Sequence, residues 1–376
     1  IGLEKALYIR GGMQGTGNYM ENIIWEKKMV LKKLDNEIKY KDLRYTLFNH
    51  YYRSGITRNE KEVNAYRKIM SSDLCSQESK ALSYNAKSDF YFVNGLYYYA
   101  VKDFKNSFIY YQKLVTLIES HPERLHEQPE MFKYITALSN YHIASYLSKN
   151  YEECVSIIKK IRMLVLIPST KMQVLTFELS YLNELAFYNN TGQYDKGVRL
   201  IKDIEAGMQL YKGKISSRAV IVFYFNYACI YFGTGDYSRS LYWLNTILNN
   251  PSLKEADADI YGFSHIISLI VHFELENIDV LEYMVKSAYR FLHKRNRIYK
   301  FENSLLSFIR TKLVKADTEQ ELIASFKGLK TELEEIIKDT FEKRTLEYFD
   351  FISWLESKIE NRPFAEIVRE KAKTIS

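Results

Sequence analysis

One stretch of this chain recurs, and its recurrence limits what the chain can fold into. Tyr227 to Pro251 reads YACIYFGTGDYSRSLYWLNTILNNP. An aromatic-rich apolar run is followed by a short polar link, an aromatic, a second amphipathic run and a proline. Sister stretches start at Asn94 (NGLYYYAVKDFKNSFIYYQKL), Asn140 (NYHIASYLSKNYEECVSIIKKI) and Asn183 (NELAFYNNTGQYDKGVRLIKDI). Their linking aromatics are Phe104, Tyr151, Tyr194 and Tyr237, about 47, 43 and 43 residues apart. Self-similarity at such a period marks stacked units, each unable to bury its apolar face alone.

Each unit reads as a pair of helices. Apolar residues recur three and four apart, and no stretch alternates as a strand. With only 5 Pro and 15 Gly the chain has few breaks, so long helices with short connections are expected. The 32 Tyr suit helix packing in which the ring is buried and the hydroxyl reaches an edge. Weaker copies flank the four: LFNHYYRSGITRNEKEVNAYRKIM upstream, then pairs over 260–292 and about 299–338. The last segment, TLEYFDFISWLESKIENRPFAEIV, breaks before Pro363 and reads as a cap. The expected organisation is a leader over 1–18, a solenoid over 19–345 and C-terminal capping helices over 346–376.

The copy at 227–251 resembles the tetratricopeptide repeat (TPR). Ala228 and Tyr231 match the small residue and aromatic of that motif's first helix. Tyr237 matches the turn aromatic, and Ser240 and Leu244 the small and large residues of the second helix. The other copies depart from the pattern, with Leu185, His142 and Leu96 at the small position of the first helix, and every copy exceeds the roughly 34 residues of a standard repeat. The resemblance implies an all-α, right-handed superhelical solenoid of about seven hairpins with a C-terminal capping helix. The repeat length is also similar to that of the peptide-sensing TPR regulators of Gram-positive bacteria, the Rap-type proteins, although no DNA-binding helix-turn-helix is visible.

Several chemistries lack their signatures. There is no HExxH, and His265 and His272 stand seven apart, too far for one ion without a bend. No nucleophile elbow or kinase signature is present. The glycines of RGGMQGTGNYM lack the Lys-Ser/Thr ending of a phosphate loop. Gly233–Asp236 is matched in sister copies by VKD, SKN and NTGQ, so it reads as a hairpin link rather than a phosphate cradle. Cys75, Cys154 and Cys229 are odd in number and far apart, which speaks for a reducing, cytoplasmic setting. The chain starts at Ile1, so an upstream targeting segment stays open. No enzyme activity, metal or cofactor is expected.

Two constellations remain. Asn49, Asn94, Asn140, Asn183 and Asn226 recur almost once per repeat, with Tyr99, Tyr188 and Tyr231 five residues after three of them. Asparagine is a poor helix-interior residue, so its repetition suggests a use. In TPR proteins the first helices line a groove, and the resemblance implies that these amides hold the backbone of an extended peptide. One amide can donate to a peptide carbonyl and accept from a peptide N–H. The other use is packing, each amide bonding a neighbouring helix. The second constellation is basic: Arg290, Lys294, Arg295, Arg297 and Lys300, interleaved with aromatics in a chain of net charge +7. It suits an anionic partner such as nucleic acid, or a helix C-terminus complementing its dipole. The expected function is therefore a non-enzymatic protein- or peptide-binding scaffold. Anionic-ligand binding and self-association through the N-terminal leader are the alternatives.

Overall fold

The computed structural model describes residues 16–57, 59–164, 169–294, 299–313, 318–339 and 342–373; among these, α- and 3-10 helices and one π turn make up all the regular structure and no strand occurs. The chain divides into two compact units, Ile1–His126 and Glu127–Ser376.

The first unit holds α1 (Thr16–Ser54), α2 (Glu60–Met70), α3 (Tyr84–Ala100) and α4 (Phe104–Glu119). Thr16–Asn18, assigned to the leader on sequence, begin α1; residues 1–15 lie outside the described residues. One face of the C-terminal part of α1 packs against the rest of the unit. Asn36 donates to the Lys80 carbonyl and accepts from Leu82 N–H, both at 3.0 Å. Tyr40 donates to the Leu74 carbonyl at 2.9 Å, and Arg44 pairs with Asp89 at 2.8 Å. Leu47 then joins Tyr66, Val93, Leu96 and Ala100 in an apolar cluster.

The second unit runs α5 (Gln128–Leu147), α6 (Tyr151–Met163), α7 (Thr170–Asn190), α8 (Tyr194–Leu210), α9 (Ser217–Gly233), α10 (Tyr237–Leu248), α11 (Ala258–Glu274) and α12 (Ile278–Lys294). A one-turn helix, Pro251–Lys254, precedes α11. There follow α13 (Lys300–Phe308), continued by a π turn over Ile309–Leu313, α14 (Glu319–Ile336), a 3-10 segment over Glu342–Glu347, α15 (Phe351–Glu360) and α16 (Phe364–Lys373). The odd-numbered helices from α5 to α11 are the first arms of hairpins. They are apolar nearly all round, as α9 (SRAVIVFYFNYACIYFG) shows, because neighbours cover them on several sides. The second arms keep one face exposed and place Ile201, Ile204, Leu244 and Leu281 in the shared core. Each such side chain contributes about 1.5–3 kcal/mol on burial.

The hairpins share one backbone register. Lys102, Lys149, Gly192, Gly235 and Glu276 all have positive φ, between 59° and 79°. In every case the next residue's N–H reaches a carbonyl five residues back: Asp103 to Tyr98, Asn150 to Ser145, Gln193 to Tyr188, Asp236 to Tyr231, Asn277 to His272. This is the Schellman closure of a helix C-terminus. The glycine link is therefore a helix stop, and three sister links achieve it with Lys or Glu. The same register explains the small residues. Ser107 donates to the Gly95 carbonyl at 3.0 Å, and Ser240 to the Ala228 carbonyl at 2.9 Å. Cys154 and Gly197 occupy the equivalent place; a Cβ on Gly197 would lie 2.2 Å from Ile230. Gly95, not Leu96, thus holds the small position of its first helix. The chain is a helical-repeat protein.

Candidate functional site

The shared register decides which asparagines correspond. Counting back from the left-handed residue, Asn140, Asn183 and Asn226 occupy one position. Val93 holds it in the α3–α4 hairpin, so Asn94 is displaced by one residue and rotated away. Asn94 is 4% exposed and its amide donates to the Phe90 carbonyl of its own helix at 2.9 Å. Tyr98, rather than Tyr99, is the counterpart of Tyr188 and Tyr231. Tyr99 packs on Tyr51 and Phe104. Asn49 lies six residues before the left-handed Gly55, is exposed, and also falls outside the series.

The three registered amides differ in what they reach. Asn183 is 7% exposed and donates to Ser139 Oγ of α5 at 3.1 Å. Asn226 is half-buried; it donates to the Val222 carbonyl at 2.8 Å and accepts from Asn189 Nδ2 of α7 at 2.8 Å. Both reach back to the preceding first arm, the packing use open to them on sequence. Asn140 is half-buried, with no hydrogen bond from its side-chain amide among the described residues. Tyr188 donates to Glu184 at 2.5 Å, and Glu184 pairs with Arg162, whose guanidinium lies 4.4 Å from the Tyr181 ring centre. Burial and the Glu184 carboxylate push the Tyr188 phenol well above its usual range, so it stays protonated and can donate to Glu184. Tyr231 is 9% exposed and carries Arg239 over its ring at 5.4 Å.

The face formed by α7, α9 and α11 is crossed by the C-terminal part of the unit. Tyr348 stacks on Phe263 with ring centres 4.1 Å apart and planes at 19°, and meets Phe225 edge-on. Phe349 packs edge-on to Phe232 at 5.0 Å and stacks on Phe364. Phe364 in turn stacks on Tyr194, and Arg369 Nε donates to the Gly192 carbonyl at 2.8 Å. Further along, Trp354 Nε1 donates to Glu274 at 2.7 Å, and Lys358 Nζ pairs with the same carboxylate at 2.5 Å. The segment expected to cap one end of the solenoid thus runs back along several hairpins. Between it and the first arms lies a cavity of about 210 Å³, lined by Asn189, Asn190, Asn226, Cys229, Tyr348 and Asp350 among others. Nothing in the local periodicity of the sequence points to Asn189, Asn190 or Tyr348; their meeting depends on a return of the chain over more than a hundred residues.

The basic stretch separates into parts. Lys294 and Lys300 are exposed, and Arg295 and Arg297 lie outside the described residues. Arg290 lines an open groove of about 550 Å³ between α12 and α13, with Lys286, Arg310, Tyr283 and Tyr289. Lys286 pairs with Glu282 at 2.8 Å, while no carboxylate partner of Arg290 or Arg310 occurs among the described residues. Arg310 is the member the sequence reading missed; it stands on the π turn that continues α13.

His142, His265, Cys154 and Cys229 sit in buried surroundings. His265 packs between Tyr261 and Phe291, and burial lowers its pKa to about 4. His142 is 2% exposed, its pKa is lowered to about 4 by burial, and neither ring nitrogen has a hydrogen-bond partner among the described residues. Burial raises the thiols of Cys154 and Cys229 to about 12, leaving them protonated. No helix among the described residues is long and apolar enough to cross a membrane.

No protein-family model matches the chain, and no curated protein matches it significantly. Among solved structures, the crystal structure of a Rap protein complexed with competence and sporulation factor is similar over 93% of this chain and 99% of that chain, at 11% sequence identity and a TM-score of 0.48.

Proposed function

We propose that the chain is a non-enzymatic scaffold of the TPR type, and that the first-arm face of α7, α9 and α11 holds an extended peptide segment. The observation that supports this reading most is Tyr348–Asp350. This non-helical stretch of the chain itself lies on that face, with Tyr348 stacked on Phe263 and a cavity left beside it at the Asn189–Asn226 pair. A face that accepts one aromatic-bearing stretch has the apolar shelves and amide edge that a second would use. In this reading Asn226 and Asn189 exchange their mutual hydrogen bond for bonds to the peptide backbone, and Asn140 extends the amide edge along α5. Asn183, already bonded to Ser139, holds α5 and α7 in register for them.

Peptides selected from a random library on the full chain provide the test. Asn226→Ala and Asn189→Ala are expected to weaken the selected peptides by tenfold or more, the loss of about 1.4 kcal/mol. Tyr348→Ala, which clears part of the face, is expected to change affinity in either direction. Selected peptides indifferent to all three substitutions would overturn the reading.

A second reading has its own observation, the groove of Lys286, Arg290 and Arg310, which suits an anionic ligand. Binding of a short single-stranded oligonucleotide that falls steeply with added salt, and that is lost in Arg290→Ala with Arg310→Ala, is the expected result if it holds. Salt-independent or absent binding removes it.

A further inference from the structure

Helix α1 carries two apolar faces, and among the described residues only one is covered. The packed face runs through Asn36, Tyr40, Leu47 and Tyr51. On the opposite side Ile24, Leu31, Ile38, Tyr45 and Tyr52 fall seven residues apart, and they are 46%, 64%, 52%, 55% and 81% exposed. Leu34 and Phe48, three residues after two of them, are 52% and 45% exposed. Between Met20 and Asp35 no side chain is buried, so among the described residues that half of the helix sinks no side chain into a core. An isolated helix of this length is marginal in water.

The period identifies the kind of partner. A straight α-helix drifts by about 20° per seven residues, so a strict seven-residue stripe stays on one side only when the helix winds around another helix. A flat surface or an extended peptide imposes no such period. We infer that this stripe is a coiled-coil seam through which α1 pairs antiparallel with α1 of a second copy of the chain.

Two features select a second copy. The seven side chains expose on the order of 800 Å² together, the area one partner contributes to a standard stable interface. The stripe is also complementary to itself in one direction. Lys27 and Lys41 interrupt it at the alternate positions. A parallel pair would set each lysine against its own copy. An antiparallel pair centred between Leu34 and Ile38 sets Ile24 against Phe48 of the second copy and Ile38 against Leu34. It places Lys41 along Leu31 and Lys27 along Tyr45, where the hydrocarbon stems cover apolar surface and the ammonium groups reach water. Such a pair is a closed two-fold dimer.

The mass of the full chain in solution tests this. Sedimentation equilibrium at micromolar concentration is expected to give two chains for the native sequence and one for Leu31→Glu with Ile38→Glu. Both positions are exposed in the single chain, so the hydrogen-exchange protection of α3 and of the second unit should persist in that variant. The orientation is read by oxidising variants in which Cys75, Cys154 and Cys229 are replaced by Ser: a mixture of Ile24→Cys and Phe48→Cys chains should cross-link, and neither alone should. Deleting residues 1–15 should leave the dimer intact. A monomeric native chain, a dimer that survives the glutamates, or cross-linking of Ile24→Cys with itself would each overturn the inference.

Discussion

His142 offers a quantitative test of how burial governs this fold. It sits on α5 at the register position that Leu185 and Leu269 hold in α7 and α11, and both leucines are fully buried. The imidazole is 2% exposed with two unpartnered nitrogens. A buried polar group without partners costs about 1–3 kcal/mol, so His142→Leu should raise stability at pH 7.5 by about 1–2 kcal/mol. The effect should grow in acid. Burial sets the folded pKa at about 4 against 6.5 for the free group. As pH falls below 6.5 the unfolded chain binds the proton first, and stability drains away until the folded pKa is reached. At pH 5 the linkage comes to about 2 kcal/mol, so the variant should lead by about 3–4 kcal/mol there. Urea unfolding followed by far-UV circular dichroism at the two pH values measures both quantities. His265, lowered in the same direction, acts equally on both proteins and cancels in the difference. A variant less stable than the native chain at pH 7.5, or an advantage that does not widen at pH 5, would refute the burial argument.

Other substitutions probe the remaining contacts. Lys358→Ala leaves the buried Glu274 carboxylate with Trp354 as its remaining partner on α15, and should cost about 3 kcal/mol in the same unfolding assay. Gly233→Ala places a Cβ 2.4 Å from the Tyr194 ring, which is held against Phe364, and should cost about 1–3 kcal/mol. Gly235→Lys, two residues on, meets no neighbouring atom and adopts a conformation that Lys102 and Lys149 already tolerate; it should cost about 1 kcal/mol. Cys154 and Cys229 should resist iodoacetamide at pH 8 in the native chain and react once it is unfolded, as read by peptide mass mapping.

Hairpin boundaries were legible because they rest on local chemistry. The turn aromatics Phe104, Tyr151, Tyr194 and Tyr237 each open a second arm, and the break before Pro363 falls between α15 and α16. The pairs read over 260–292 and about 299–338 match α11–α12 and α13–α14. One slip came from pairing Asn94 with Asn140 by identity. The backbone register runs one residue earlier, and it restores Gly95 to the small position where the Ser107 hydroxyl needs a close carbonyl. The fate of each asparagine was not legible. Whether an amide points at Ser139, at Asn189 or into its own helix depends on neighbours supplied by other hairpins. The return of Tyr348 and Phe364 onto α7, α9 and α11 was likewise hidden, because apolar periodicity reports which face is buried and not what buries it.

The bond from Arg369 to the Gly192 carbonyl spans 177 positions of sequence. In an open solenoid each hairpin answers only to its neighbours, and folding can spread from any of them. Here α16 is also part of the wall of a hairpin that is synthesised well before it. The second unit cannot close during its own synthesis. Until Tyr348, Phe349 and Phe364 emerge, Tyr194, Phe232 and Phe263 lack the aromatic partners that cover them. A nascent chain stalled short of Tyr348 therefore presents an aromatic surface ready for a chaperone, and removal of α16 by a protease would reopen the same surface in the finished protein.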